Sequence, residues 1–299
     1  VVDASVSRAV RTLASVIEPV AAQVYFSPEC HANYEALGFG PSPRRAGDVA
    51  LPDGAAYFCS RGSVLGQVPG EVVAAAFAVF NPAAVVPAVA HGWTLTDAST
   101  IEQARTDGAV MQMARLIGEA PAGLDRAVEL LARAGSRLRP EGRPLHAGLM
   151  ALGVPDSKVG VMWRLADRLR EYRGDAHTAA WTSAGFDAAE IGLLSEQYWG
   201  LPPRSYVRSR AWSKADLDDA EARLTGRGLL AGGLLTEAGR AEREAVELAT
   251  DGQCRPIVGG LGDDLDELVG IMRPWGAAIR AGGGYLASGP HDLAAAARP

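Results

Sequence analysis

Cysteine is scarce. Cys30, Cys59 and Cys254 are odd in number and far apart, which excludes a disulfide framework and a clustered zinc site. Lysine is scarcer still: Lys158 and Lys214 are the two in 299 residues, and the rest of the basic complement is arginine, as in a high-GC source. Long apolar runs are missing. Those at 72–79 and 85–90 are interrupted by Asn81-Pro82 and Pro87, short of the roughly 20 residues a bilayer span requires. The first residues lack a basic region followed by an apolar run and a cleavage site, so the expected location is cytoplasmic, with no membrane partner. A basic excess is missing too. The formal net charge of -6 disfavours nucleic acid, whose binding draws on cationic surface and counterion release. No serine elbow, Walker loop, zinc spacing or dinucleotide fingerprint is present. Gly259, Gly260 and Gly262 precede Asp263 and Asp264, a poor cradle for phosphate.

What is present is helical pattern. An apolar fraction of 48% and a charged fraction of 21% describe a globular chain with ample core. Val6, Val10, Leu13, Val16, Ile17 and Val20 recur at intervals of three and four, and similar stripes follow along the chain. Pro- and Gly-rich breaks at 39–53 and 139–144 read as linkers. Leu65-Gly-Gln-Val-Pro69 and Leu152-Gly-Val-Pro155 each precede an apolar helix, a break and an alanine-rich helix. In that alignment Asn81-Pro82 faces Gly174-Asp175, suggesting an internal duplication. The expected fold is mainly α: two related helical lobes, 1–138 and 139–299, the second carrying a winged-helix-like module at about 204–251 and a C-terminal helix at 265–279. Residues 282–299 are expected to fray. His31 reads as an exposed or capping histidine and His146 as a solvated loop residue.

The densest chemistry lies at 168–190, RLREYRGDAHTAAWTSAGFDAAE. Met162, Leu165, Leu169 and Tyr172 predict a helix to about Tyr172, faltering at Gly174, with a second helix capped by Asp175 and His177 in its first turn. Charged groups would then converge at a helix break beside Trp163, Trp181 and Trp199, as in a pocket with apolar walls and a few polar groups. The same residues also read as a helix-end ion pair with a hydrogen-bonded core histidine.

Residues 212–251 change character: a Ser-capped helix ends in Arg227-Gly228-Leu229-Leu230, a Gly232-Gly233 turn follows, and Leu235-Thr236-x-x-Gly239 opens a charged helix. This resembles the winged-helix half of the MarR-like regulators. The helix that would enter the major groove nevertheless carries Asp216, Asp218, Asp219 and Glu221, and the hairpin has no basic tip. Together with the Tyr25-Phe26 motif, the Phe80-Asn81-Pro82 break and the 173–177 motif, the order of helices resembles an actinobacterial family of winged-helix-tailed proteins. Some of these act in natural-product pathways, including the closing of the aziridine of an azabicyclic amino acid from a sulfated precursor.

That resemblance implies a cofactor-independent lyase or cyclase in which an amine displaces sulfate on its own carbon chain, without a metal. Arg173, Arg61 and Arg115 are the expected sulfate-binding arginines, and Trp163, Trp181, Tyr25 and Asn81 the other substrate-binding residues. Asp175, His177 or Glu190 would accept the amine proton. The expected partner is a small-molecule substrate, with a homodimer open. A non-catalytic binder conferring self-resistance, a hydrolase using Asp175 to activate water and a MarR-like DNA-binding regulator remain as alternatives.

Overall fold

The computed structural model describes residues 3–289. Most of its helices begin where a short polar side chain accepts a hydrogen bond from a first-turn amide, which otherwise has no partner inside the helix. Asp3 does so for α1 (Ala4–Ala22), and Ser27, with Pro28 in the first position, for α2 (Pro28–Ala36). The stretch read as a linker folds into a small antiparallel hairpin, β1 (Arg44–Ala46) and β2 (Val49–Leu51), with Arg44 opposite Leu51. Gly47, at φ 60°, turns it. Asp53 then caps α3 (Gly54–Gly62).

The next helices are α4 (Gly70–Phe77), α5 (Pro82–Leu95, capped by Asn81), α6 (Ala98–Ile117, capped by Asp97), α7 (Leu124–Gly135) and α8 (Pro144–Ala151). At the centre stands α9 (Lys158–Ser183), capped by Ser157 and packed on α1, α6, α7 and α8. The break expected at Gly174-Asp175 does not exist: the helix runs straight through. A glycine inside a helix costs only about 1 kcal/mol, whereas this helix buries Met162, Trp163, Leu169, Tyr172 and Ala176. The aligned Asn81-Pro82 break therefore has no counterpart at that place.

Beyond α9 come α10 (Ala188–Tyr198), α11 (Lys214–Gly226), the strand pair β3 (Leu230–Ala231) and β4 (Leu234–Leu235), and α12 (Glu237–Gln253). This is the helix, hairpin and helix order expected for a winged helix. Gly232 and Gly233 both have positive φ, as a two-residue hairpin turn demands. The chain closes with α13 (Arg255–Leu261) and α14 (Leu265–Ala281), the latter lying against α1. Mainly α architecture is thus established, and no helix among the described residues is long and apolar enough to cross a membrane.

Two hydrophobic clusters hold the molecule. The larger joins residues from α1 to α9 with α13 and α14, so that chain on both sides of residue 138 shares one core. The smaller is built from Ala180, Trp181, Phe186, Ile191, Leu194, Leu217, Leu224, Leu230 and Val246. The far end of α9 belongs to the second cluster and the rest of it to the first. Part of the stretch expected to fray is ordered: Tyr285 is buried and its hydroxyl donates to Glu18 at 3.1 Å. The remainder of that expectation, 290–299, lies outside the described residues.

The Thr-x-x-Gly signature has a packing cause. The Thr236 hydroxyl accepts from the Gly239 amide at 3.0 Å and donates to the Gly228 carbonyl at 2.8 Å. Gly239 lies so close to the preceding strand that a Cβ would stand 2.1 Å from the Leu229 oxygen. Gly239→Ala is expected to destabilise the protein by about 1–3 kcal/mol, read as a lower midpoint in urea with the far-UV spectrum of the folded state retained.

Candidate functional site

A cavity of about 1150 Å³ opens between the helical body and the winged-helix module. The body contributes α1, α3, the aromatic side chains Tyr57, Phe77 and Phe80, and one face of α9; the module contributes Ile191, Ser195, Trp199, Tyr206 and Arg210, and α12 adds Arg243 and Glu247. Hairpin residues Arg44 and Leu51, with Tyr285, complete the lining. Because α9 is unbroken, Arg170, Glu171, Arg173, Gly174, Asp175, His177 and Thr178 come from successive turns of one rigid element.

The acidic groups in this wall live in two different environments. Glu171 is buried and receives both Nε (2.8 Å) and Nη2 (2.7 Å) of Arg61, Nη1 of Arg170 at 2.9 Å and the Tyr25 hydroxyl at 3.3 Å. Burial alone would raise its pKa, but the two guanidinium groups reverse that and bring it down to about 2. Glu247 is likewise held well below the carboxylate range: burial opposes ionisation, and Arg173 and Arg243 outweigh it. Arg243 also donates to Ser195 at 2.9 Å.

Asp175 has no such cation. It is 4% exposed, and its Oδ2 accepts from the His146 amide at 3.0 Å. That amide belongs to the first turn of α8, whose own N-cap residue, Arg143, supplies no side-chain bond, so Asp175 caps α8 from another helix. Burial pushes its carboxyl up to about 7; the neighbouring Glu171 charge adds to the rise, and the His146 amide and Arg61 oppose it. One carboxyl poised near neutrality beside others locked as anions is the arrangement that separates acid-base roles. Cys254 also lines the cavity, but burial pushes its thiol up to about 12, out of nucleophilic range. Among the described residues no group of three or more His, Cys, Asp and Glu side chains is assembled to hold a metal ion.

Of the residues singled out in the sequence, Arg61, Arg173, Asp175, His177 and Tyr25 line this cavity. His177 contacts the Thr250 hydroxyl at 3.1 Å, tying α9 to α12. Five others lie elsewhere. Arg115 is half exposed and paired with Glu29. Trp163 is fully buried in the larger core, its Nε1 donating to the Ala21 carbonyl at 3.1 Å, and Trp181 packs in the smaller core. Glu190 is the third residue of α10, in a reciprocal cap with Asp187, and pairs with Arg223 at 2.9 Å. Asn81 caps α5 and fastens a loop of the module: its amide donates to the Arg210 carbonyl at 2.9 Å and its Nδ2 to the Ala211 carbonyl at 3.2 Å. Two histidines are also corrected. His146 is buried against Tyr172, with Nδ1 2.9 Å from the Arg168 carbonyl, and His31 is buried with Nε2 3.1 Å from the Tyr25 carbonyl.

Sequence reasoning passed over Glu171, Arg170, Arg210, Arg243 and Glu247. The signal for the last two was a four-residue spacing on one helix face, indistinguishable in sequence from a solvated ion pair. The helix expected from the sequence to enter a DNA groove, α11, has several of its charges paired within the protein. Arg204 pairs with Asp218 (2.6 Å) and Glu221 (2.5 Å), Lys214 with Asp218 (2.5 Å), and Arg223 with Asp187 and Glu190. Leu234 stands 61% exposed on the hairpin.

A helical body and a winged helix sharing one cavity define a helix-turn-helix architecture extended by a second layer of helices. The chain belongs to a helix-turn-helix family, whose model matches residues 10–286. No curated protein and no solved structure matches it.

The perturbed carboxyl contributes to the pH dependence of stability. Folded Asp175 titrates near 7 and an unfolded aspartate near about 4, so between those values the folded state holds a proton that the unfolded state has released. Stability from this group is therefore complete below about pH 4 and is lost as pH rises to about 7. Asp175→Asn keeps an oxygen for the His146 amide and removes the buried charge. It should raise the melting temperature at pH 8 by about 1–2 °C, a gain of about 1 kcal/mol, and the gain should vanish at pH 4; calorimetry at the two pH values checks this.

Proposed function

We propose that this helix-turn-helix protein is a small-molecule enzyme in which Asp175 takes a proton from an amine held in the cavity. The observation that carries the reading is a buried carboxyl, its pKa raised to about 7, in a largely apolar cavity wall that also carries six arginines. General bases work best when their pKa lies near the working pH, and arginine forks fit carboxylate, sulfate and phosphate oxygens. The proposed substrate therefore bears an amine and an oxyanion.

The reaction that uses all these parts is closure of an aziridine from a vicinal amino sulfate, as the resemblance to natural-product proteins implies. Asp175 removes one ammonium proton. The freed nitrogen lone pair forms the new C–N bond while the C–O bond to sulfate breaks, and sulfate departs with the bonding electrons. The arginines offset the growing charge on the leaving group, and the aromatic wall of Tyr57, Phe77 and Phe80 excludes water that would otherwise compete.

A second reading comes from the family itself, since helix-turn-helix modules bind DNA. Against it stand the carboxylates of α11 and the internal pairing of Arg204 and Arg223. Gel shifts against genomic fragments at low and physiological salt are expected to show no specific complex.

Incubation with vicinal amino sulfates should release inorganic sulfate and a product lighter by the elements of sulfuric acid, read by mass spectrometry. The rate should climb with pH through about 7. Asp175→Asn should lose that limb and about 100-fold or more in rate. A variant as active as the parent, or a ligand bound and returned unchanged, would end the catalytic reading.

A further inference from the structure

Four arginines in the cavity wall already hold carboxylates: Arg61 with Glu171, Arg170 with Glu18 and Glu171, and Arg173 and Arg243 with Glu247. Arg210 differs. Its guanidinium lies 4.8 Å from the centre of the Phe80 ring and 4.5 Å from that of Tyr206, with Nη2 donating to the Tyr206 hydroxyl at 2.8 Å. Among the described residues no carboxylate pairs with it, and its Nε is buried without a hydrogen bond. It is also near enough to Arg61 for the two positive charges to oppose each other.

A half-buried cation with a buried, unbonded Nε and a second cation nearby is costly unless something balances it. This one is held in place. Asn81 binds the Arg210 and Ala211 carbonyls, Ala211 adopts a left-handed φ of 63°, and the Trp212 indole donates to the Val79 carbonyl at 3.0 Å. The guanidinium is thus fixed between two aromatic faces, with donors on its edge still open. Trp199, at 5.0 Å from Tyr206 edge to face, extends the apolar surface beside it.

We propose that Arg210 is the anion-binding residue of the cavity, and that the natural ligand presents a sulfate, sulfonate or carboxylate there next to an apolar segment packed on Phe80 and Tyr206. This deepens the proposed function and rests on the cavity being a small-molecule site. It places the oxyanion at the module wall and leaves the proton-donating end of the ligand toward Asp175, with the Arg61–Glu171 pair between them electrostatically. The arginines with carboxylate partners then serve to hold the walls, and Asn81 is a positioning residue for Arg210.

The test uses the full chain and two dyes of similar shape: 8-anilinonaphthalene-1-sulfonate and its uncharged counterpart N-phenyl-1-naphthylamine. Wild-type protein should bind the sulfonate at least about tenfold more tightly, as a charge-assisted pair predicts. Sodium sulfate should displace the sulfonate at constant ionic strength where chloride does not. Arg210→Gln should weaken the sulfonate about tenfold or more and the neutral dye less than about twofold, with Arg210→Lys between. Equal loss for both dyes, no loss, or displacement by chloride as effective as by sulfate overturns the proposal. The sulfate competition needs no variant and decides the matter if Arg210→Gln does not fold. Selective loss in Arg210→Gln without turnover of any amino sulfate would keep the anion site and end the catalytic reading. Unchanged dye affinity with Asp175-dependent turnover would do the reverse.

Discussion

Glu171 is a full negative charge buried in a helical protein, and the pair of guanidinium groups around it is the constraint from which the cavity follows. Arg61 arrives from α3 and Arg170 from α9 itself, so one carboxylate ties the N-terminal helices to the central one. An ion pair of this kind adds little net stability compared with a hydrophobic replacement, yet losing one partner costs about 3–5 kcal/mol because the other charge is stranded. It therefore fixes geometry more than it adds strength. One turn further on, Asp175 shares the burial without the cations, and the contrast between the two is what gives the wall a group able to change its charge near neutral pH.

The winged-helix module of this chain ties several of its cations into ion pairs. Arg204 is bound to Asp218 and Glu221, and Arg223 to Asp187 and Glu190 at the start of α10. Trp199, Tyr206 and Arg210 line the cavity. The module presents an aromatic-lined surface to the helical body.

Much of this architecture was legible in the sequence. Helical spacing located most of the elements, Ser27, Ser213 and Thr236 marked starts, and the Arg-Gly-Leu and Thr-x-x-Gly signatures located the hairpin. The 168–190 stretch, expected to bring charged groups together at a helix break, instead contributes Arg170, Arg173, Asp175 and His177 to the cavity wall from an unbroken helix. Gly174 suggested a break because propensity is a local quantity, while the burial of α9 on many sides is a tertiary one. The tryptophans misled similarly: Trp163 and Trp181 have the composition of a pocket wall, but large apolar side chains are most often spent on cores. Arg210, in a short polar stretch after two prolines, offered no periodic signal at all. Among the described residues it has no carboxylate partner, a fact that sequence cannot display.

The continuity of α9 reaches further than the site it lines. A single rod threads both apolar clusters, so neither half of the molecule can loosen at that seam without pulling on the other. A guest lodged between them acts as mortar on two walls at once, and the chain should melt as one body whether the chamber is empty or filled.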